Sequence, residues 1–179
     1  MASTTEPDRT SPSLDAKPAD LSSVILALPM EVADANLMGN VHGGVIMRLV
    51  DNAGGYSAMK HCGGPVVTVA MDEMTFLEPV YLGDVVTVKA MVNEAFHTSM
   101  EVGVRVEAEN VRTGRRVHTS SAYLVYVALG ADGRPQPVPP VLAETDAQRR
   151  RQHEATLRRE ARLARKQAIL QARAAKGET

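Results

Sequence analysis

Residues 40–51 read Asn-Val-His-Gly-Gly-Val-Ile-Met-Arg-Leu-Val-Asp, and the fold turns on how this stretch is parsed. A polar loop gives way at Gly43-Gly44 to a segment whose apolar positions, Val45, Ile46, Leu49, Val50 and Ala53, recur with the 3.6-residue period of an amphipathic helix. The spacing predicts a helix over residues 43–61. Asp51 falls two turns inside it, between Leu49-Val50 and Ala53-Gly54-Gly55, where a carboxylate is expensive to bury without a purpose.

Upstream, residues 22–30 form a short apolar run closed by Pro29, and a polar loop covers 31–42. Downstream, Cys-Gly-Gly-Pro at 62–65 breaks the helix, and the period changes from 3.6 to 2. Residues 65–74 are rich in β-formers; Val86, Val88, Ala90 and Val92 alternate with polar partners, as do Met100, Val102, Val104, Val106 and Ala108. Thr113-Gly114 turns the chain into a last strand over 116–129, with Val117, Thr119, Ser121, Tyr123, Val125 and Val127 predicted on one side. One helix followed by long strands and short turns predicts an α+β fold, an antiparallel β-sheet wrapped around one central helix. Gly54 and Gly55, each costing about 1 kcal/mol inside a helix, imply compensation by close packing or a ligand.

The chain has 179 residues, 44% hydrophobic, with a net charge of −1, which suits one domain with an aliphatic core, since there is no Trp and only two Phe. Cys62 is the sole cysteine, so an internal disulfide is excluded and a reducing compartment fits. No run is long and apolar enough for a membrane span, and residues 1–20 lack the basic and apolar blocks of a signal peptide; the expected location is cytoplasmic. Residues 1–20, rich in Ser, Thr, Pro and Asp, are expected to be disordered, 21–130 to form the domain, 131–142 a Pro-rich linker, and 143–179 a basic helical tail. The tail carries +5 and the rest −6. It offers no aromatic for base stacking and interleaves Glu154 and Glu160 with its arginines, so it reads as a solvated helix rather than a nucleic-acid arm. Its weak stripe of Leu157, Ala161, Ala164 and Ala168 is the face expected to meet a neighbour.

The run Asn-Leu-Met-Gly-Asn-Val-His-Gly-Gly-Val-Ile-Met-Arg-Leu-Val-Asp at 36–51, with His61-Cys62, Phe76-Leu77-Glu78-Pro79, Gly83-Asp84 and Thr98-Ser99-Met100-Glu101-Val102, resembles the hotdog-fold acyl-CoA thioesterases. The pattern is similar to that of the cytosolic, brain-type acyl-CoA hydrolases and their bacterial single-domain relatives, over residues 24–151. The resemblance implies hydrolysis of a fatty acyl-CoA to the free acid and CoA. It puts the catalytic carboxylate on Asp51 and the catalytic asparagine on Asn40, with His42, Gly43, Gly44, Thr98 and Ser99 around the substrate. No metal cluster and no phosphate-cradling loop occur, so catalysis is expected without a cofactor.

Thioester chemistry agrees with that implication. Negative charge develops on the carbonyl oxygen, and amides at a helix start, left open by Gly43 and Gly44, are suited to hold it. Asp51 suits either a general base or a nucleophile. Each residue also has a plainer reading: Asp51 as a surface partner of Arg48, Asn40 as a cap, His42 as structural, Thr98-Ser99 as a turn, and Arg105, Arg112, Arg115 and Arg116 as solvated cations rather than ligands of the CoA phosphates.

Brain-type relatives carry two such domains in tandem and split the asparagine and carboxylate between them, whereas this chain holds both. The resemblance therefore implies a homodimer with shared sites, assembled further into a trimer of dimers. Other functions open at this point are a hotdog dehydratase, an acyl-carrier-protein thioesterase, and a non-catalytic acyl-CoA-binding regulator.

Overall fold

A computed structural model describes residues 14–175. In chain order the elements are β1 (Lys17–Pro18), a 3₁₀ turn (Ala19–Ser22), β2 (Val24–Pro29), a second 3₁₀ turn (Val32–Asp34), α1 (Gly43–Cys62), β3 (Val66–Phe76), β4 (Val85–Ala95), β5 (Ser99–Asn110), β6 (Arg115–Ala128), β7 (Val141–Leu142) and α2 (Asp146–Ala175).

Alternation in β4, β5 and β6 dictates the layering. Val86, Val88, Val92, Val102, Val104, Val106 and Leu124 point to one face and are buried there against Ile46, Leu49, Val50, Ala53 and Ala58 of α1. Registers Val88 with Val106 and Val102 with Leu124 keep those side chains on the same face. Each fully buried aliphatic contributes roughly 1.5–3 kcal/mol, so truncating Leu124 at the centre is a direct way to break the core. The five-stranded antiparallel sheet runs β2-β4-β5-β6-β3. The expected β4-β5-β6 meander is present; β3 crosses to the far edge beside β6, so the sheet wraps α1 as the hotdog pattern requires.

Helix α1 begins and ends where the sequence predicts, within a residue. Its last carbonyls are closed by Gly63, whose φ of 75° lies in the left-handed region and whose N–H donates to Met59 O at 2.8 Å.

Three expectations are corrected. The stripe from Val117 to Val127 is interrupted, because a bulge between Val106 and Glu107 leaves Thr119 outside the ladder and turns Val117 to the core face. The boundaries 1–20 and 131–142 also change. Residues 1–13 lie outside the described residues, but Lys17–Pro18 pairs in parallel with Val141–Leu142, and Lys17 Nζ donates to His61 O at 2.8 Å. Buried His61 is hydrogen-bonded through Nε2 to Pro139 O at 2.8 Å. The proline-rich stretch is thus a docked strap rather than a spacer.

The tail is docked too. Helix α2 lies over the outer face of the sheet, where Arg158 grips buried Glu101 with two hydrogen bonds of 2.7 and 3.1 Å and stands 3.6 Å over the Tyr123 ring, and Arg162 pairs with Asp72. Gln148 and Ala155 are its buried residues, while Leu157 is 51% exposed. The docking face is therefore the polar one, and the predicted apolar stripe points outward.

Candidate active site

Asp51 occupies the third turn of α1 because the helix period that buries Leu49, Val50 and Ala53 leaves position 51 half-buried, facing β3. Thr68 Oγ1 on β3 donates to its Oδ1 at 2.7 Å. Tyr126 on β6 donates its hydroxyl to the Asp51 backbone oxygen at 2.9 Å and stands 3.3 Å from Oδ1. Among the described residues no ion pair joins Asp51 to Arg48, so the surface-pair reading has no support in the geometry. Burial first, then the neighbouring Asp51 carboxylate, push the Tyr126 phenol well above its ordinary pKa, which keeps it a donor.

The helix start is built differently from the expectation. His42 is the N-cap, and its Nδ1 accepts the Gly44 N–H at 2.8 Å. Gly44's amide is thereby engaged, and Gly43 N–H is the one without an acceptor among the described residues. Gly43 faces the Phe76 ring at the end of β3.

Asn40 is tied down by its backbone, bridging Tyr81 and accepting the Asn36 N–H at 2.7 Å. Asn36 shapes the same loop through Oδ1, which accepts from Met38 N at 2.8 Å and Asn40 N at 3.2 Å. Neither asparagine is hydrogen-bonded to Asp51 within the chain. Thr98 closes the bend before β5, its O accepting from Ala128 N, and Ser99 is the first residue of the strand. Ser99 pairs with Val127, whereas Phe76, beside Gly43, pairs with Ser120. Seven residues of strand separate these points, roughly 23 Å, so one chain does not bring Thr98 and Ser99 to its own helix start.

Sequence reasoning missed Thr68 and Tyr126. Thr68 sits in a β-rich run whose alternation is broken by bulges after Thr68 and after Met71, and Tyr126 falls on the core-facing parity of β6. The signal available for Tyr126 was Gly54-Gly55, which implied a close neighbour without naming it. No group of three or more His, Cys, Asp or Glu arranged to hold a metal occurs among the described residues.

A sheet wrapped on one helix, with a glycine-opened helix start and a strand-supported carboxylate, defines the class. Residues 38–115 match the Thioesterase superfamily, and the chain belongs to that family. It is 36% identical over 121 residues to the cytosolic acyl coenzyme A thioester hydrolase of Mus musculus, covering 66% of this chain and 32% of that one. The chain thus spans about a third of the length of the mammalian relatives it matches. An apo-hexameric acyl-CoA thioesterase superposes with a TM-score of 0.83 at 33% identity, over 85% of this chain and 97% of the other. The acyl-CoA hydrolase of Staphylococcus aureus, solved with butyryl coenzyme A, coenzyme A and coenzyme A disulfide, gives 0.81 at 32% identity, over 88% and 96%. Alanine variants of that hydrolase replace an asparagine, an aspartate and a threonine, the asparagine fifteen positions before the aspartate and the threonine seventeen after it.

Proposed function

We propose that the chain is a cytoplasmic acyl-CoA thioester hydrolase that works without a cofactor, as a homo-oligomer with sites shared between protomers. The observation that carries this reading is the Thr68–Asp51 hydrogen bond. Asn36 stands fifteen residues before Asp51 and Thr68 seventeen after it, the spacing of the three positions substituted in the Staphylococcus aureus hydrolase. That spacing favours Asn36 over Asn40 as the site asparagine.

Helix geometry supports the shared site. Gly43 and Asp51 are eight residues apart on α1, about 12 Å of axial rise, too far for one thioester carbonyl to meet both. A site closes when the helix start of one protomer faces Asp51 of its partner. Met47, one turn before Asp51, and Val67 and Val69, flanking Thr68, are exposed on an unpaired sheet edge suited to such a partner. Hexameric assembly of a relative of the same fold agrees with this reading.

In the reaction, Asp51 takes a proton from a water as its oxygen attacks the thioester carbonyl carbon. The oxyanion is held by Gly43 N–H with the helix dipole behind it, and Asn36 orients the water or the carbonyl. Collapse breaks the C–S bond, and the proton on Asp51 passes to the departing thiolate, leaving carboxylic acid and CoA. Direct attack by Asp51 uses the same residues: it breaks the C–S bond, releasing the CoA thiolate to take a proton from water, and forms a mixed anhydride that hydroxide or water then cleaves to the free acid and Asp51.

A screen of acyl-CoA chain lengths, read by released CoA thiol, tests the reading. Asp51→Asn should remain folded and assembled and lose on the order of 10² to 10⁴ in turnover. Near-normal hydrolysis by that variant returns Asp51 to a structural role.

A further inference from the structure

The Gly54-Gly55 pair exacts a helix penalty that ordinary packing does not explain. Tyr126 is 1% exposed and its ring lies along this glycine flank of α1. Its hydroxyl stands where a Cβ on Gly54 would overlap it, and two ring carbons lie 3.1 Å from the same point. A Cβ at position 54 leaves no room for the phenol oxygen where it stands, so the glycine is what lets it reach the helix backbone. A phenylalanine would fill the ring's place equally well; the hydroxyl is the part that needs the notch.

That hydroxyl reaches the backbone oxygen of Asp51 and stands beside its Oδ1, the oxygen also held by Thr68. Support therefore comes from two different strands, β6 and β3. Oδ2 makes no hydrogen bond among the described residues. One carboxylate oxygen is anchored and the other is bare, the arrangement a base needs when a single lone pair must be aimed at a water.

We infer that Tyr126, admitted by Gly54, is a positioning residue that fixes the Asp51 carboxylate by its Oδ1 edge so that Oδ2 faces the reacting water. The inference rests on the proposed role of Asp51. Thr68 from β3 and Tyr126 from β6 are the groups whose hydroxyls reach the carboxylate, with Arg48 one turn earlier on α1 forming no pair with it. Because burial and the adjacent charge keep the phenol protonated, it donates throughout the working pH range.

The test is Tyr126→Phe in the full chain, assayed with the acyl-CoA that the screen identifies as best and checked for folding by thermal melting. The expected result is a kcat about tenfold lower with KM within about twofold, since a misaimed base loses turnover while the substrate still binds. In the Asp51→Asn background the same substitution should bring no further loss, because the group it positions is already gone. Gly54→Ala, which keeps the phenol but displaces its oxygen, should reproduce the fall in kcat and serves if Tyr126→Phe does not fold. A folded Tyr126→Phe enzyme with wild-type kcat, while Asp51→Asn is inactive, overturns the positioning role and leaves the hydrolase reading intact. An equal loss in both backgrounds overturns it as well, since general loosening of the core does not depend on Asp51. Full turnover by Asp51→Asn overturns both.

Discussion

Thr68 Oγ1 donates to Asp51 Oδ1 across 2.7 Å, joining an edge strand to the third turn of the central helix. The bond crosses from β3 to α1, so it reports whether the sheet edge is in register with the helix. Thr68→Val keeps the shape and removes the donor. It should lower kcat about tenfold with little change in melting temperature, while Thr68→Ser should retain most activity. Steady-state kinetics on the three proteins decide the point; equal kcat for Val and Thr would remove Thr68 from the site.

Subunit exchange tests the shared site and the choice of asparagine together. Asn36→Ala and Asp51→Ala homodimers should each be nearly inactive. After exchange, about half the dimers are mixed, each with one doubly damaged and one intact site, and activity should return to about a quarter of wild type. Verified exchange without recovery means both residues act within one protomer. Asn40→Ala should be close to wild type, since its backbone holds the loop; an inactive Asn40→Ala beside an active Asn36→Ala restores the original assignment.

The docked tail makes a stability prediction. Glu101 is 1% exposed and its charge is met by Arg158 and by Asn93 Nδ2 at 3.1 Å. Arg158→Ala strands that carboxylate and should cost on the order of 3 kcal/mol in urea unfolding, whereas Arg158→Met with Glu101→Leu should recover most of it. Ending the chain after Leu142 should destabilise it comparably. A truncated protein as stable as the full chain would show that α2 only rests on the sheet.

His61 predicts a softening in mild acid. Its pKa is lowered, chiefly by burial and with help from Lys17, against the Pro139 hydrogen bond, and its Nδ1 has no partner. A depressed folded-state pKa means the stabilisation is complete above the unfolded value of 6.5 and is lost as pH falls from there towards the folded value. Melting temperature should therefore drop below pH 6.5, and His61→Gln should flatten that part of the curve. An unchanged slope in His61→Gln assigns the effect to another group.

Residues 43–51 and the period-2 strands carried the fold plainly, because both helix period and strand alternation encode which face is buried. Asp51 stood out as a candidate for the same reason: a carboxylate is conspicuous on an apolar helix. Thr68 was not, because two bulges in β3 erase its parity. The orientation of α2 was misread since its contacts are made by Arg158, Arg162 and Gln148, and long polar side chains that bury their stems leave no hydrophobic pattern. The boundary at residue 20 failed for a simpler reason: two residues of strand pairing at 17–18 depend on a partner more than a hundred positions away.

That pairing has a mechanical consequence. Lys17–Pro18 lies alongside Val141–Leu142, and Gln148 Nε2 donates to Asp20 Oδ1 at 2.8 Å, so the segment entering the domain is stitched to the segment leaving it. The domain is a ring closed by a non-covalent buckle, and pulling on either strand of the buckle loads the other before it loads the sheet. A cut made just after Asp20, at the end of what composition alone marks as disordered chain, opens the buckle and frees the strap that Lys17 and Pro139 together hold against His61.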